Sequence, residues 1–445
     1  MGTSAPDRRG QDTPPGDTYA QSVRHALRVT AALLVTIVLL LALVSNVKTL
    51  AQLQVERLDG SVEQGNFEDY VAFYAAGELV LEGRGSTLYE IDVVAAKEQE
   101  IMGRPVGGTG SLGFFNPPFV AAIFAPLSLL SVGVAGVVLF AINCILVLGV
   151  SFALLRLVDI TGFPQSLLTG VALLSLNSVF WLIGHGQFSM LLVLGFLGFY
   201  WYQIHGKNAY SGLALALVLV KPQVAILAVL VLFVRRDWQA LVSFSCVAAV
   251  LVLVSIVAAG PEVLWDYPSF VLSSTGWEKE FGINVERMYG WNGLFTTLAP
   301  NHSFAHLALT AVASVATAGL VIRAFRHAQP GSGEFNLAFG AMIAAAILVN
   351  PHIYLQDMVL IVLVLAFGYQ GSRVLGWSAW VWVFSSALVW LAQEMTDRTF
   401  EAFSLNLLSL LALGLFVLLL HGNETASRLS RGSRSLPRAT QPRAA

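Results

Sequence analysis

The sequence predicts an all-α, polytopic membrane protein with about twelve transmembrane helices. Three observations carry this. Of 445 residues, 56% are hydrophobic and only 12% are charged, about half the charged share of a soluble domain. Mean hydropathy is +0.71. Apolar runs close to the roughly 20 residues that cross a bilayer recur along the chain.

In order, the runs lie at 29–46, 130–155, 165–183, 187–204, 209–220, 222–234, 238–259, 303–326, 335–349, 354–370, 374–392 and 403–421. The first has a long polar segment before it and no clean small-x-small cleavage site after it, so it reads as an uncleaved anchor. Residues 1–23 are rich in Pro, Gly, Asp, Arg and Gln without periodicity and read as a disordered tail. The basic stretch 423–445 reads the same way, leaving 24–422 as the membrane domain. Runs 209–220 and 222–234 flank Lys221-Pro222. Each reaches only about 18–20 Å at roughly 1.5 Å per residue, short of a hydrocarbon core of about 30 Å. They form either one proline-broken helix or two half-depth helices meeting in a cavity.

Charge favours the second. With the N-terminus inside and two crossings here, Arg156, Lys207, Arg235, Arg236, Arg323, Arg326 and Arg373 all fall on the inner side with both termini, as the positive-inside rule requires. A single crossing would invert every later loop. Lys221 is then recessed below the outer surface, which a polar cavity tolerates and lipid does not. The polar connections collect outside: 47–129, Gly184–Gln187, Lys221–Gln223, 260–302, Asn350–His352 and Gln393–Glu401. The outer face of a cytoplasmic membrane is the expected functional face.

Several classes are excluded or unsupported. The net charge is −2 and no Lys/Arg block suggests nucleic acid. Cys144 and Cys246 sit in apolar runs, so neither a disulfide framework nor metal-ligand spacing is implied. No P-loop, HExxH or Ser-His-Asp pattern is present. No cofactor is predicted, and metal dependence stays open.

What remains is a set of polar constellations. Asn66 and Asp69 read as N-cap and N3 of a helix carrying Tyr70, Tyr74 and Leu81, lying along the membrane surface with its aromatics down. A carboxylate at a helix N-terminus stays ionised and fits a general base, though it also serves as a plain cap. Phe115-Asn116-Pro117-Pro118 fixes an extended approach to a helix, and Asn116 is suited to a polar ligand group. Two glycines flank His185 and precede Gln187, which suits close ligand approach. Lys221 needs an anionic partner or water. Arg287 is a candidate phosphate ligand beside Asn292. Asn350-Pro351-His352 precedes Asp357, whose spacing implies no metal site.

In order and spacing, Asp69–Ala76, Gly83, Leu88-Tyr89, Phe115–Pro118, Pro126-Leu127, Gly186-Gln187, Lys221-Pro222, Asn292, Asn350–His352 and Asp357 resemble glycosyltransferase family 87. The resemblance spans about 66–360. That family comprises multi-helix enzymes of the GT-C type that use polyprenyl-phosphate sugars outside the bacterial cytoplasmic membrane. It includes phosphatidylinositol-mannoside mannosyltransferases and arabinofuranosyltransferases. The resemblance implies that Asp69 is the catalytic base and that His352 assists near the phosphate. Asn116 stands where an aromatic is frequent, and the late motif lacks a Trp-His-His character, so sugar and acceptor do not carry over.

The expected function is inverting sugar transfer from a polyprenyl-phosphate donor to a lipid or glycan acceptor. Lys221, His352, Arg287 and His185 would bind the donor phosphate. Tyr70, Tyr74, Asn116, Gln187, Asn292 and Asp357 would line the substrate site. The competing reading is a transporter or flippase of a lipid-linked sugar. It would require broken helices in both halves, and only the pair at Lys221 is evident.

Overall fold

The computed structural model describes residues 15–60, 69–106, 110–159, 165–272, 285–299, 303–376 and 379–434. Among these the only β-type contact is one isolated bridge, Val106 to Gly110. The helices are α1 (Pro15–Asp59), α2 (Asp69–Leu81), α3 (Ile91–Met102), α4 (Pro118–Phe124), α5 (Val132–Val158), α6 (Gln165–Leu174), α7 (Asn177–His185), α8 (Met190–Ile204) and α9 (Asn208–Leu215). They continue as α10 (Pro222–Arg235), α11 (Trp238–Ala259), α12 (Val263–Leu272), α13 (Trp291–Leu298), α14 (Ser303–Phe325), α15 (Gly333–Val349), α16 (Ile361–Ser372), α17 (Ala379–Phe403) and α18 (Leu407–Arg434).

Each apolar run of the sequence corresponds to a helix or helix pair. Among the described residues, seven helical stretches are long and apolar enough to cross a membrane alone. Four shorter apolar ones (Met190–Ile204, Asn208–Val220, Pro222–Arg235 and Gly333–Val349) and α17 account for the other runs. The centre of the bundle is α15, buried from Phe335 to Leu348. A helix that is apolar all round belongs in such a place. It is rich in Ala, and within a bilayer small residues let helices approach closely where no hydrophobic force joins them. Gly368 on α16 shows the same device: a Cβ there would lie 2.3 Å from the Trp382 ring.

The helices define two ends. At one, α8 closes near α9 and α11: Gln203 Nε2 donates to Ser211 Oγ (2.9 Å) and Asp237 Oδ2 (2.7 Å). Arg235 Nη1 donates to the Ala328 carbonyl (2.7 Å), and Arg373 pairs with Asp159 at 3.7 Å. Lys207, Arg235, Arg236, Arg323, Arg326 and Arg373 therefore share this end. Residues 203–211 and 235–240 meet here, so α9 with its 3-10 extension (Ala216–Val220) runs antiparallel to α10, and Lys221 is the tip of a helical hairpin at the other end. Of the two arrangements open for 209–234, this is the two-helix one.

The opposite end carries the polar connections. Here the helix at Asp69 differs from expectation. It is not a surface helix with one apolar side. Tyr70 through Gly77 and Leu79 are all buried, packed against α3, α4 and the turn at Leu127–Leu129. Residues 61–68, including the expected N-cap Asn66, lie outside the described set. Acids of this region hold structure. The buried Lys97 ammonium lies 2.6 Å from Glu82, 2.9 Å from Glu100 and 3.8 Å from Glu78, joining α2 to α3. Glu98 accepts from Ser111 Oγ and the Leu112 amide, each at 2.9 Å, fixing the approach to Phe114–Pro118.

Two tail boundaries move. Helix α1 begins at Pro15, with proline in a first-turn position that suits it. Helix α18 runs on to Arg434 because its polar last turns have partners: Asn423 Nδ2 donates to the Glu334 carbonyl (2.8 Å) and Glu424 pairs with Arg323 (2.7 Å). Residues 15–23 and 423–434 are thus helical rather than irregular. Residues 1–14 and 435–445 lie outside the described set.

Candidate active site

Four segments far apart in sequence converge at the polar end: the start of α2, the α7–α8 turn, the tip of the α9–α10 hairpin, and the segment from Asn350 to Asp357. Asp69 opens α2. Its Oδ1 lies 2.8 Å from His185 Nδ1, and its Oδ2 accepts from Gln187 Nε2 at 3.0 Å. The carboxylate side chain keeps 30% of its surface open, enough for a hydroxyl to reach a free lone pair. Burial alone would raise its pKa. The His185 ring, the Gln187 amide and the Lys221 ammonium outweigh burial and hold the carboxyl below its usual range.

The α7–α8 turn can present both partners because of Gly186. Its φ is +68°, and a Cβ there would come within 2.7 Å of Tyr70 Cβ. Only glycine allows the turn to close against the first residues of α2. The Trp181 indole stacks on the His185 ring, centroids 4.8 Å apart, fixing its plane.

Lys221 has the anionic partner its position demanded. Its Nζ lies 2.5 Å from Asp357 Oδ1, and Ser189 Oγ donates to the same oxygen at 2.5 Å. Asp357 is 1% exposed, so this is a buried pair. The Lys221 charge is felt at both Asp69 and His352, which makes it the electrostatic centre of the group. The His352 ring stacks on Phe115, centroids 5.6 Å apart. Burial and Lys221 push its pKa down to about 4, with Asp357 opposing. His352 is therefore neutral near pH 7, a hydrogen-bonding group rather than a cation. Its segment is braced from α13: Asn292 Nδ2 donates to the Pro351 carbonyl (3.3 Å) and the Tyr289 amide to the Ile353 carbonyl (3.1 Å).

The predicted residues therefore divide. Asp69, His185, Gln187, Lys221, His352 and Asp357 come together. Asn116 lies at the rim, its amide donating to the Val220 carbonyl (2.9 Å) just before Lys221. Asn292 braces the His352 segment. Tyr70 and Tyr74 are turned into packing: Tyr70 lies under the Arg57 guanidinium at 4.5 Å, and Tyr74 donates to the Leu130 carbonyl at 2.7 Å. Arg287 is directed to α17, 3.7 Å from Asp397 and 3.6 Å from Glu401, with its guanidinium over Phe400.

Three residues escaped the sequence reading. Ser189 bridges Lys221 and Asp357. Burial, and after it the nearby Asp69 charge, raise the pKa of the Tyr354 hydroxyl. Arg57, buried at the end of α1, donates to the Gly184 carbonyl while stacking on Tyr70. It thereby ties the segment holding Asp69 to the one holding His185. A lone arginine at the end of a long apolar helix was the only signal for it.

An all-helical membrane protein with two carboxylates, a buried lysine and two histidines gathered at one end of its spans has the layout of a membrane-embedded transferase. Residues 114–351, more than half of the chain, match glycosyltransferase family 87. The chain belongs to that family and is a membrane glycosyltransferase. The matched residues include His185, Gln187, Ser189 and Lys221; Asp69 precedes them and His352 follows directly. No curated protein and no solved structure matches the chain.

Proposed function

We propose that the protein transfers a sugar from a polyprenyl-phosphate donor to a hydroxyl of a lipid or glycan acceptor, with inversion, using Asp69 as general base. The observation that carries this is the Asp69 carboxylate: held ionised, partly open, and close to the Lys221 ammonium and the His185 imidazole. The acceptor oxygen forms a bond to the anomeric carbon and gives its proton to Asp69. The bond from that carbon to the phosphate oxygen breaks with its electron pair, and polyprenyl phosphate leaves as an anion. Attack from the face opposite the departing phosphate inverts the anomeric centre. No general acid is required. Charge building on the phosphate is met by Lys221, with neutral His352 as a hydrogen-bond donor, while His185, its Nδ1 given to Asp69, holds the base in place. Asp357 is then the counterion that keeps Lys221 in place, not a substrate contact. Arg287, turned toward α17, has no part in this step.

A lipid-linked donor also fits an apolar groove of about 250 Å³ lined by Pro117, Pro118, Leu219, Pro222 and Tyr267. Pro222 in its wall adjoins Lys221, so a prenyl chain lying there would bring its phosphate to the lysine. The basic residues of the other end favour a cytoplasmic position for that end. In this orientation both termini are cytoplasmic, residues 24–422 form the enzyme domain, and the site opens on the outer side of a bacterial cytoplasmic membrane.

The test is incubation of purified protein with a panel of polyprenyl-phosphate sugars and nucleotide sugars. Release of polyprenyl phosphate from one of the former supports the reading. Transfer from a nucleotide sugar alone would overturn it.

A further inference from the structure

At the arginine-rich end, remote from Asp69, lies a second cavity of about 370 Å³. The length of α15 separates it from the catalytic group: Glu334 at its wall lies in the first turn of α15, and His352 follows the end of that helix. Its polar wall carries Arg323, Arg326 and His327 from the end of α14, and Asn423, Glu424 and Arg428 from α18. Three guanidiniums face two carboxylates, Glu334 and Glu424, so the wall has a net positive charge. Leu320 and Leu420 make another part of the wall apolar. The framework is fixed without a ligand: Asn423 joins α18 to α15, Arg235 holds the Ala328 carbonyl, and Glu424 pairs with Arg323 at 2.7 Å. The volume lies in the range of small-molecule sites.

We infer that this cavity binds the phosphate headgroup of an anionic membrane lipid. Convergent arginines match phosphate oxygens, and Arg is the side chain suited to that geometry. Apolar walls beside the cations suit the first carbons of an acyl chain, and basic pockets between spans at the cytoplasmic surface take such headgroups. A soluble phosphate ester shares the headgroup chemistry but has no use for the apolar half. The inference does not depend on the proposed reaction.

Native mass spectrometry of the detergent-purified full chain, titrated with phosphatidylglycerol or phosphatidylcholine, tests it. Wild type is expected to prefer phosphatidylglycerol. At about a five-fold contribution per cation, R326Q/R428Q should weaken that lipid roughly 20- to 30-fold. R236Q, at the same end but outside the cavity, should bind as wild type. If R326Q/R428Q is not monodisperse, R428Q alone against R428K takes its place: weaker binding in the first and retention in the second is expected. Equal binding by wild type and the Gln variants would overturn the inference. So would complete displacement of the lipid by millimolar inorganic phosphate, which would make the cavity a soluble-anion site.

Discussion

Removing the Asp357 charge is the most instructive perturbation of the scaffold. Asp357→Asn keeps the shape of the side chain but leaves the Lys221 ammonium, 2.5 Å away and 11% exposed, without a counterion. Ser189 Oγ, 3.4 Å from Nζ, is neutral and does not replace the charge. Stranding one member of a buried pair costs about 3–5 kcal/mol, so the thermal midpoint of the detergent-solubilised protein should fall well below that of wild type. Replacing both members, as in K221M/D357L, removes the stranded charge and should recover most of the loss, because apolar substitutes for buried pairs are often neutral or stabilising. The double variant should nevertheless be inactive, since the phosphate would lose its cation. Thermal unfolding of wild type, K221M, D357L and K221M/D357L gives the coupling directly. An unchanged midpoint in D357N, or strictly additive losses in the double variant, would refute the claim that the pair is buried and coupled.

Three further outcomes follow from the geometry. Gly186→Ala combines a Cβ 2.7 Å from Tyr70 with a left-handed backbone; strain of order 1–3 kcal/mol should separate Asp69 from His185, lowering turnover more than donor affinity in steady-state assays. Arg57→Gln should act at the same place through the lost Gly184 contact, and its effect on kcat should not add to that of Gly186→Ala in the combined variant. His352 has a folded pKa of about 4 against an ordinary 6.5. The unfolded chain thus binds the extra proton between those values, and stability rises with pH there: the contribution is complete above about 6.5 and is lost as pH falls toward 4. His352→Asn should flatten that part of the stability profile measured by thermal unfolding.

Much of the architecture was legible because bilayer physics writes itself into composition. Apolar run lengths located the helices, and the distribution of arginines sorted their ends; the structure gathers Lys207, Arg235, Arg236, Arg323, Arg326 and Arg373 as that distribution required. Lys221 was legible as an anomaly, a charge between two short helices, but its partner was not. Asp357 lies 136 residues away, and several acids competed for the role on sequence alone. Arg57 was hidden for the same reason, since its partners Gly184 and Tyr70 belong to other helices. The α2 helix was misjudged because its tyrosine spacing suggests a one-sided surface helix, whereas α3 and α4 cover the other side. The tails were misjudged because polar composition alone does not reveal that Asn423 and Glu424 have partners on α15 and α14. Arg287 is drawn from the site by Asp397 and Glu401, charges that no local pattern linked to it.

Asp69 is proposed to take the proton of the acceptor hydroxyl. Asp69→Asn preserves the side-chain outline while abolishing the base, and single-turnover transfer from a polyprenyl-phosphate sugar can be followed alongside donor binding. The rate is expected to fall by about 10²–10⁴-fold, with donor affinity within a few-fold of wild type. Wild-type transfer by the Asn variant would contradict the account.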